Sequence, residues 1–220
     1  MAMARAGFFS LYLITDRKLV RGRDLAEALA EALAAAREAA PDMGVAVQLR
    51  EKDLTGRELY ALGREVRAVC SGFGALLTIN DRVDVALACE ADGVHLRGES
   101  FSPAEARRLL GPERLIGVSA HRVSDLDRAE REGADFAVYG PVYAPLSKTG
   151  YGTPCEASGL AQGCSATKLP VFALGGITAE RIRELRGSGA AGVAVIGAIF
   201  GADSPADATR SVLAAIRENL

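Results

Sequence analysis

The chain has 220 residues, of which 49% are hydrophobic, and its 26 Lys and Arg stand against 28 Asp and Glu for a net charge of −2. That length fits one large domain or two small ones with a substantial core, and the even charge balance excludes the basic excess that a nucleic-acid or anionic-membrane partner calls for. Four cysteines, Cys70, Cys89, Cys155 and Cys164, lie far apart without CxxC spacing and with only two histidines in the chain, which reads as reduced thiols in a cytosolic protein and not as disulfides or a zinc site.

The apolar stretch from Gly7 to Ile14 has the look of a signal peptide, but it is short, Asp16, Arg17 and Lys18 follow it, and no small-residue cleavage site is present. It reads better as a first strand, over 11–15. No other apolar run approaches the ~18 residues of a membrane span. Residues 24–40 are rich in Ala, Leu and Glu, with Leu25, Leu29 and Leu33 at helical spacing. Val45 to Leu49 is a second strand opening into Arg50, Glu51, Lys52 and Asp53, and Thr55 starts a helix to about Cys70 with Glu58 in the capping-box position. A third strand over 75–79 ends in Asn80 and Asp81, and a helical pattern runs from Val83 to Cys89. Gly93 to Leu96 is a short fourth strand, and Ser102 with Pro103 begins a helix. The fifth strand, 115–118, ends in Ser119, Ala120 and His121 ahead of a helix over 124–132, and the sixth, 135–139, ends in Gly140 and Pro141. Strands seven and eight start at Val171 and Ala191, and a helix over 206–220 closes the chain.

Eight strand patterns alternating with helical ones at roughly 25-residue spacing, with no linker between them, give an α/β fold. The expectation is a compact (β/α)8 TIM barrel forming a single domain over 1–220. A doubly wound open sheet is the competing arrangement, but the first strand is followed by Thr15, Asp16 and Arg17 where a GxGxxG turn would be needed. The long connection over 143–156, with two Gly, two Pro and Lys148, is the candidate mobile lid.

In a barrel the strand ends carry the site. The last two strands end at Gly175 and Gly176 and at Ile196 and Gly197, where bare backbone N–H groups ahead of helices can cradle a phosphate. Gln48, Arg50 and Lys52 alternate, so a strand continued through them sends all three to one side, where a planar fork and a point charge can hold a diphosphate. Read locally, Arg50 pairs with Glu51 instead. Asp81 is a candidate Mg2+ ligand, since that ion takes one or two carboxylates plus substrate oxygens, or else it caps the next helix. Ser119 and His121 flank a strand end, where His121 can serve as acid or base. His95, inside a strand, reads as a structural histidine, and Lys148 can bring its charge in as the lid closes.

These motifs, Leu11 to Asp16, Gln48 to Lys52, Ile79 to Asp81, Ala91 to His95, Gly117 to His121, Gly140-Pro141 with Ser147-Lys148, Gly175 to Ile177 and Gly192 to Ile196, resemble the thiamine phosphate synthase and TenI family in one order over nearly the whole chain. The resemblance implies a (β/α)8 barrel that joins a small phosphorylated pyrimidine, held as its diphosphate, to a thiazole phosphate and releases pyrophosphate. It implies that Gln48, Arg50, Lys52, Asn80, Ser119 and Lys148 hold the pyrimidine diphosphate and that Asp81 binds Mg2+. Gly176, Ile196, Gly197 and Ser147 would hold the thiazole phosphate. Three stretches depart from the family pattern. Arg97-Gly98-Glu99-Ser100 stands where synthases carry Gly-Gln-Glu-Asp, so Ser100 replaces a second metal-binding Asp, with Glu99 beside it. Pro145 and Ser147 replace two threonines, and Gly197 replaces a serine. Loss of that Asp is similar to the TenI branch, whose tautomerases are metal-independent and use a histidine at the place of His121. A barrel that binds a phosphorylated ligand without turnover is the third reading, and a homo-oligomer is compatible with all three.

Overall fold

The computed structural model describes residues 9–144 and 153–220. Eight strands, β1 (Phe9–Ile14), β2 (Gly44–Leu49), β3 (Leu76–Asn80), β4 (Gly93–Leu96), β5 (Leu115–Ala120), β6 (Phe136–Tyr139), β7 (Val171–Leu174) and β8 (Gly192–Val195), form a closed barrel in chain order. All neighbours are parallel, and β8 returns to β1 with Val193, Ala194 and Val195 opposite Leu11, Tyr12 and Leu13. The open-sheet alternative is thereby excluded, and closure removes the sheet edges. Because every strand runs the same way, all eight C-terminal ends meet at one rim.

Between the strands lie α1 (Leu25–Ala39), α2 (Gly56–Phe73), α3 (Val83–Ala88), α4 (Pro103–Leu110), α5 (Val123–Arg131), α6 (Glu156–Ser165), α7 (Ala179–Ile182, continued by a 3-10 turn at Arg183–Leu185) and α8 (Gly197–Phe200), and α9 (Pro205–Asn219) packs against α1. Side-chain caps set several starts. Thr55 and Glu58 form a reciprocal box at α2, as do Ser102 and Glu105 at α4, while Asp24 and Ser204 accept the N–H of Glu27 and Asp207. The sequence does not mark α6. Its Gly159 and Gly163 lower helix propensity, and Gly163 packs tightly under Tyr139, whose ring lies 3.0 Å from where a Cβ would stand.

The barrel interior is a small aromatic core of its own, built from Phe9, Tyr12, Phe136 and Phe172 with Ile14, Ala46, Leu115, Val138 and Ala194. Phe9 and Tyr12 are three residues apart, a spacing that should send them to opposite faces. An irregularity in the β1–β2 register between Phe9 and Leu11 brings both inside. Phe136 meets Phe9 and Tyr12 edge-on at 5.4 Å, and Gly117 makes room for it, because a Cβ there would fall 2.3 Å from Phe136 Cζ. At the opposite rim one device occurs twice. Asp92 accepts the Leu77 N–H (2.8 Å) and Arg67 (2.6 Å), and Asp135 accepts the Ile116 N–H (2.7 Å) and Arg107 (2.6 Å), so each carboxylate ties a strand to its neighbour and to a helix. No helix of the described residues is long and apolar enough to cross a membrane.

Candidate active site at the C-terminal rim

Directly above the aromatic floor, four polar side chains from four strands form one hydrogen-bonded chain. Thr78 Oγ1 donates to the Val47 carbonyl (3.3 Å) and accepts from the Tyr12 hydroxyl (2.7 Å). With its one proton committed, Tyr12 accepts from His95 Nδ1 (3.2 Å), and the Ser119 hydroxyl donates to His95 Nε2 (3.0 Å). This order requires a neutral imidazole. Burial, with a smaller contribution from the charge of Arg50, pulls the His95 pKa down to about 3, and burial pushes the Tyr12 phenol well above its ordinary value. Ser119 therefore presents lone pairs, not its proton, to the mouth.

Around this centre the expected polar residues fall into groups. Gln48, 2% exposed, donates from Nε2 to Asn80 Oδ1 at 3.1 Å. The strand β2 stops at Leu49, so Arg50 and Lys52 lie beyond it and do not continue its alternation. The local pairing of Arg50 with Glu51 is not formed. Glu51 turns back to the first loop, accepting from Thr15 Oγ1 (2.8 Å), the Arg17 N–H (3.0 Å) and Arg17 Nη1 (3.1 Å), and Arg17 extends the network to Asp53. Thr15 Oγ1 in turn accepts the Arg50 N–H at 2.9 Å. This clamp holds the backbone of Arg50 at the rim and occupies the nearest carboxylate elsewhere.

Asp81 has φ 63° and donates its N–H to the His95 carbonyl at 2.9 Å, which fixes its carboxylate toward the segment after β4. There Oδ1 accepts from Ser100 Oγ and Oδ2 from the Arg97 guanidinium. It does not cap α3, whose cap position is Arg82. Glu99 is exposed, and no group of three or more His, Cys, Asp or Glu gathers among the described residues as a metal cluster would. His121, also exposed, donates from Nδ1 to the Gly140 carbonyl, and its backbone N–H is held by Asp125 at 3.0 Å.

Across the mouth the chain offers backbone. Gly175 and Gly176 turn with φ 101° and 59°, and a Cβ on Gly176 would lie 2.6 Å from the Ala144 carbonyl oxygen, so only glycine fits. Arg181, which the sequence reading did not single out, donates to the Gly176 carbonyl at 3.0 Å and stacks its guanidinium 5.1 Å above the Tyr143 ring. The only signal for it is a basic residue five positions after the glycine pair. Ile196 has φ −119° and ψ −82°, and Gly197 opens α8. Ser147 and Lys148, and with them most of the candidate lid, lie outside the described residues. In ring order the side-chain groups occupy the β2 to β5 arc and the glycine turns the β7 to β8 arc, so the two halves face each other over the barrel axis.

A family model described as thiamine monophosphate synthase matches residues 11–199. A protein of Geobacter sulfurreducens is 50% identical over 207 residues, covering 94% of this chain and 93% of its own length. The thiamine-phosphate synthase of Moorella thermoacetica is 40% identical over 202 residues, covering 92% and 93%. Among solved structures, the thiamine phosphate pyrophosphorylase from Pyrococcus furiosus has a TM-score of 0.82 at 32% identity and covers 97% of this chain and 98% of that one. Matches of this extent across the strands that build the rim carry one conclusion: the chain belongs to the thiamine monophosphate synthase family.

Proposed function

We propose that the chain joins a hydroxymethylpyrimidine diphosphate to a thiazole phosphate and releases pyrophosphate. The division of the rim into two facing arcs carries this reading, because a reaction between two phosphorylated partners needs two anion sites and a common centre. On this reading Gln48, Arg50, Lys52, Asn80, Ser119 and Lys148 bind the pyrimidine diphosphate, and Gly176, Ile196, Gly197 and Ser147 bind the thiazole phosphate. The bond between the pyrimidine methylene and the diphosphate oxygen breaks, and its electron pair departs with pyrophosphate. The thiazole nitrogen then gives its lone pair to the methylene carbon.

The protein's part in such a path is to hold the departing negative charge and keep the two centres in line. Arg50 supplies a fork matched to phosphate oxygens. Ser119, with its proton committed to His95, accepts a hydrogen bond from an N–H of the pyrimidine and sets its plane. Magnesium, which the family resemblance implies, would need the lone pairs of Asp81. Both oxygens of that carboxylate are taken by Ser100 and Arg97, so the ion does not fit these residues as they stand.

The test supplies both substrates and follows pyrophosphate release. Turnover is expected, with Arg50→Ala raising KM for the diphosphate by roughly 10-fold or more, as expected for losing a charge-assisted contact of about 1.5–3 kcal/mol. Turnover of a thiazole substrate alone, abolished in His121→Ala, would establish a tautomerase instead. Binding of either substrate without turnover would leave a carrier, and both results refute the synthase reading.

A further inference from the structure

We propose that Arg97 is the built-in cation of this site: it neutralises Asp81 and binds the pyrophosphate group directly, so that the pyrophosphate subsite works without a divalent metal ion. The proposal rests on the synthase reading and specifies how that reading's leaving group is held.

The geometry is local and closed. Asp81 is aimed at the segment after β4 by its own N–H bond to the His95 carbonyl. The turn over 97–100 is locked twice, by the Ser100 N–H to the Arg97 carbonyl (3.0 Å) and by the Arg97 N–H to Ser100 Oγ (2.9 Å). Since Ser100 Oγ accepts that N–H, its proton goes to Asp81 Oδ1, and Arg97 takes Oδ2 through Nε and Nη2. Both carboxylate oxygens thus face donors. Mg2+ requires acceptor oxygens in near-octahedral array and gives up its waters reluctantly, and here it would have to settle beside a guanidinium.

The charges are consistent with this exchange. The family pattern has glycine at the place of Arg97 and an acidic residue at the place of Ser100. Gaining one positive charge and losing one negative charge changes the local sum by the charge of one divalent ion. A guanidinium carries five N–H donors. Nε and Nη2 each direct one N–H at Asp81, and the remaining three, two on Nη1 and one on Nη2, can donate to phosphate oxygens. Arg97 is in reach of a ligand: its side chain is 44% exposed, and with Ser100, Ser119 and Arg128 it lines a cleft of about 190 Å³ between the segment after β4 and α5, whose wall also carries Glu105, Asp125 and Glu132.

The experiment is calorimetric titration of the full chain with inorganic pyrophosphate, in EDTA and in Mg2+, with thermal melts confirming that each variant folds. The Kd in EDTA is expected within about 3-fold of that in Mg2+. Arg97→Ala should weaken binding in EDTA by 10-fold or more, with Arg97→Lys recovering part of it. The double variant Arg97→Gly with Ser100→Asp should bind poorly in EDTA and regain affinity when Mg2+ is added. A parent chain that binds pyrophosphate only with Mg2+, or an Arg97→Ala variant whose Kd moves less than 2-fold, overturns the proposal. The synthase reading fails separately: metal-independent pyrophosphate binding without two-substrate turnover sinks that reading and upholds the role of Arg97, whereas turnover that needs Mg2+ does the reverse.

Discussion

Replacing Tyr12 by Phe tests whether the buried chain from Thr78 to Ser119 sets the state of the site. Tyr12 is fully buried and its ring contacts Phe136 edge-on at 5.4 Å, so Phe preserves the packing and removes only the hydroxyl. Thr78 keeps its bond to the Val47 carbonyl. His95 Nδ1 is left without a partner in a site closed to water. A lost neutral hydrogen bond costs about 0.5–1.5 kcal/mol and a stranded buried group about 1–3 kcal/mol, so a net loss of roughly 2–3 kcal/mol is expected. In a chain of this size each kcal/mol moves Tm by about 2–4 °C, which places the variant roughly 4–12 °C lower by calorimetry. The hydroxyl also holds the proton on Nδ1. Without it the Nε2–H tautomer becomes available and donates to Ser119, turning the serine proton toward the mouth and converting an acceptor into a donor. Nitrogen-15 histidine spectra read the tautomer directly, and kcat/KM for the pyrimidine diphosphate should fall about 5- to 30-fold, the equivalent of 1–2 kcal/mol. A variant that melts within 1 °C of the parent while His95 still carries its proton on Nδ1 refutes the reasoning.

Acid should act on the same histidine. His95 is neutral in the folded chain, with a pKa of about 3, whereas the unfolded chain binds its proton near pH 6.5. Folding is therefore fully favoured by this group above pH ~6.5 and loses that contribution as pH falls toward 3, by at most about 1.4 kcal/mol per pH unit. Urea midpoints should fall more steeply across that window in the parent than in His95→Gln, and equal slopes would contradict the assignment. On the opposite arc, Gly176→Ala forces a left-handed alanine, at about 1–2 kcal/mol, against a carbonyl 2.6 Å from the new Cβ. Thiazole phosphate affinity should drop 10-fold or more while pyrophosphate affinity holds, and equal losses at both sites would show that the arcs are not separate.

What the sequence discloses follows from how far apart the determining residues lie. Thr55 with Glu58 and Ser102 with Glu105 mark helix starts because both halves of each box sit within one turn. The strands are legible because a buried parallel strand needs only a short apolar run, and the glycine pair after β7 announces a turn that a Cβ would block. The α6 helix is obscured by Gly163, which packs under the Tyr139 ring of another element. Glu51 illustrates the same limit. Its carboxylate is held by Thr15 and Arg17, which lie 36 and 34 positions earlier, and not by the adjacent Arg50.

The same principle explains why the chemistry of the rim is less visible than its location. The sequence places His95 within a strand as a structural histidine, and the closed barrel turns its side chain inward. That it meets Tyr12 on one side and Ser119 on the other depends on which residues of β1 and β5 stand at its height. The register of β4 on β5, with His95 opposite Gly117, leaves room for Ser119 to reach down to Nε2, and a shift of one residue would substitute an outward-facing side chain for the serine. Asp81 and Arg97 are likewise 16 positions apart, and they meet only because β3 and β4 are neighbours in register. The departure at Ser100 can be read from the chain, but its meaning depends on where the new arginine lands. In this barrel it lands on the carboxylate that the absent acidic residue would have shared a cation with, which makes the two changes one event in charge and makes metal dependence the property to measure first.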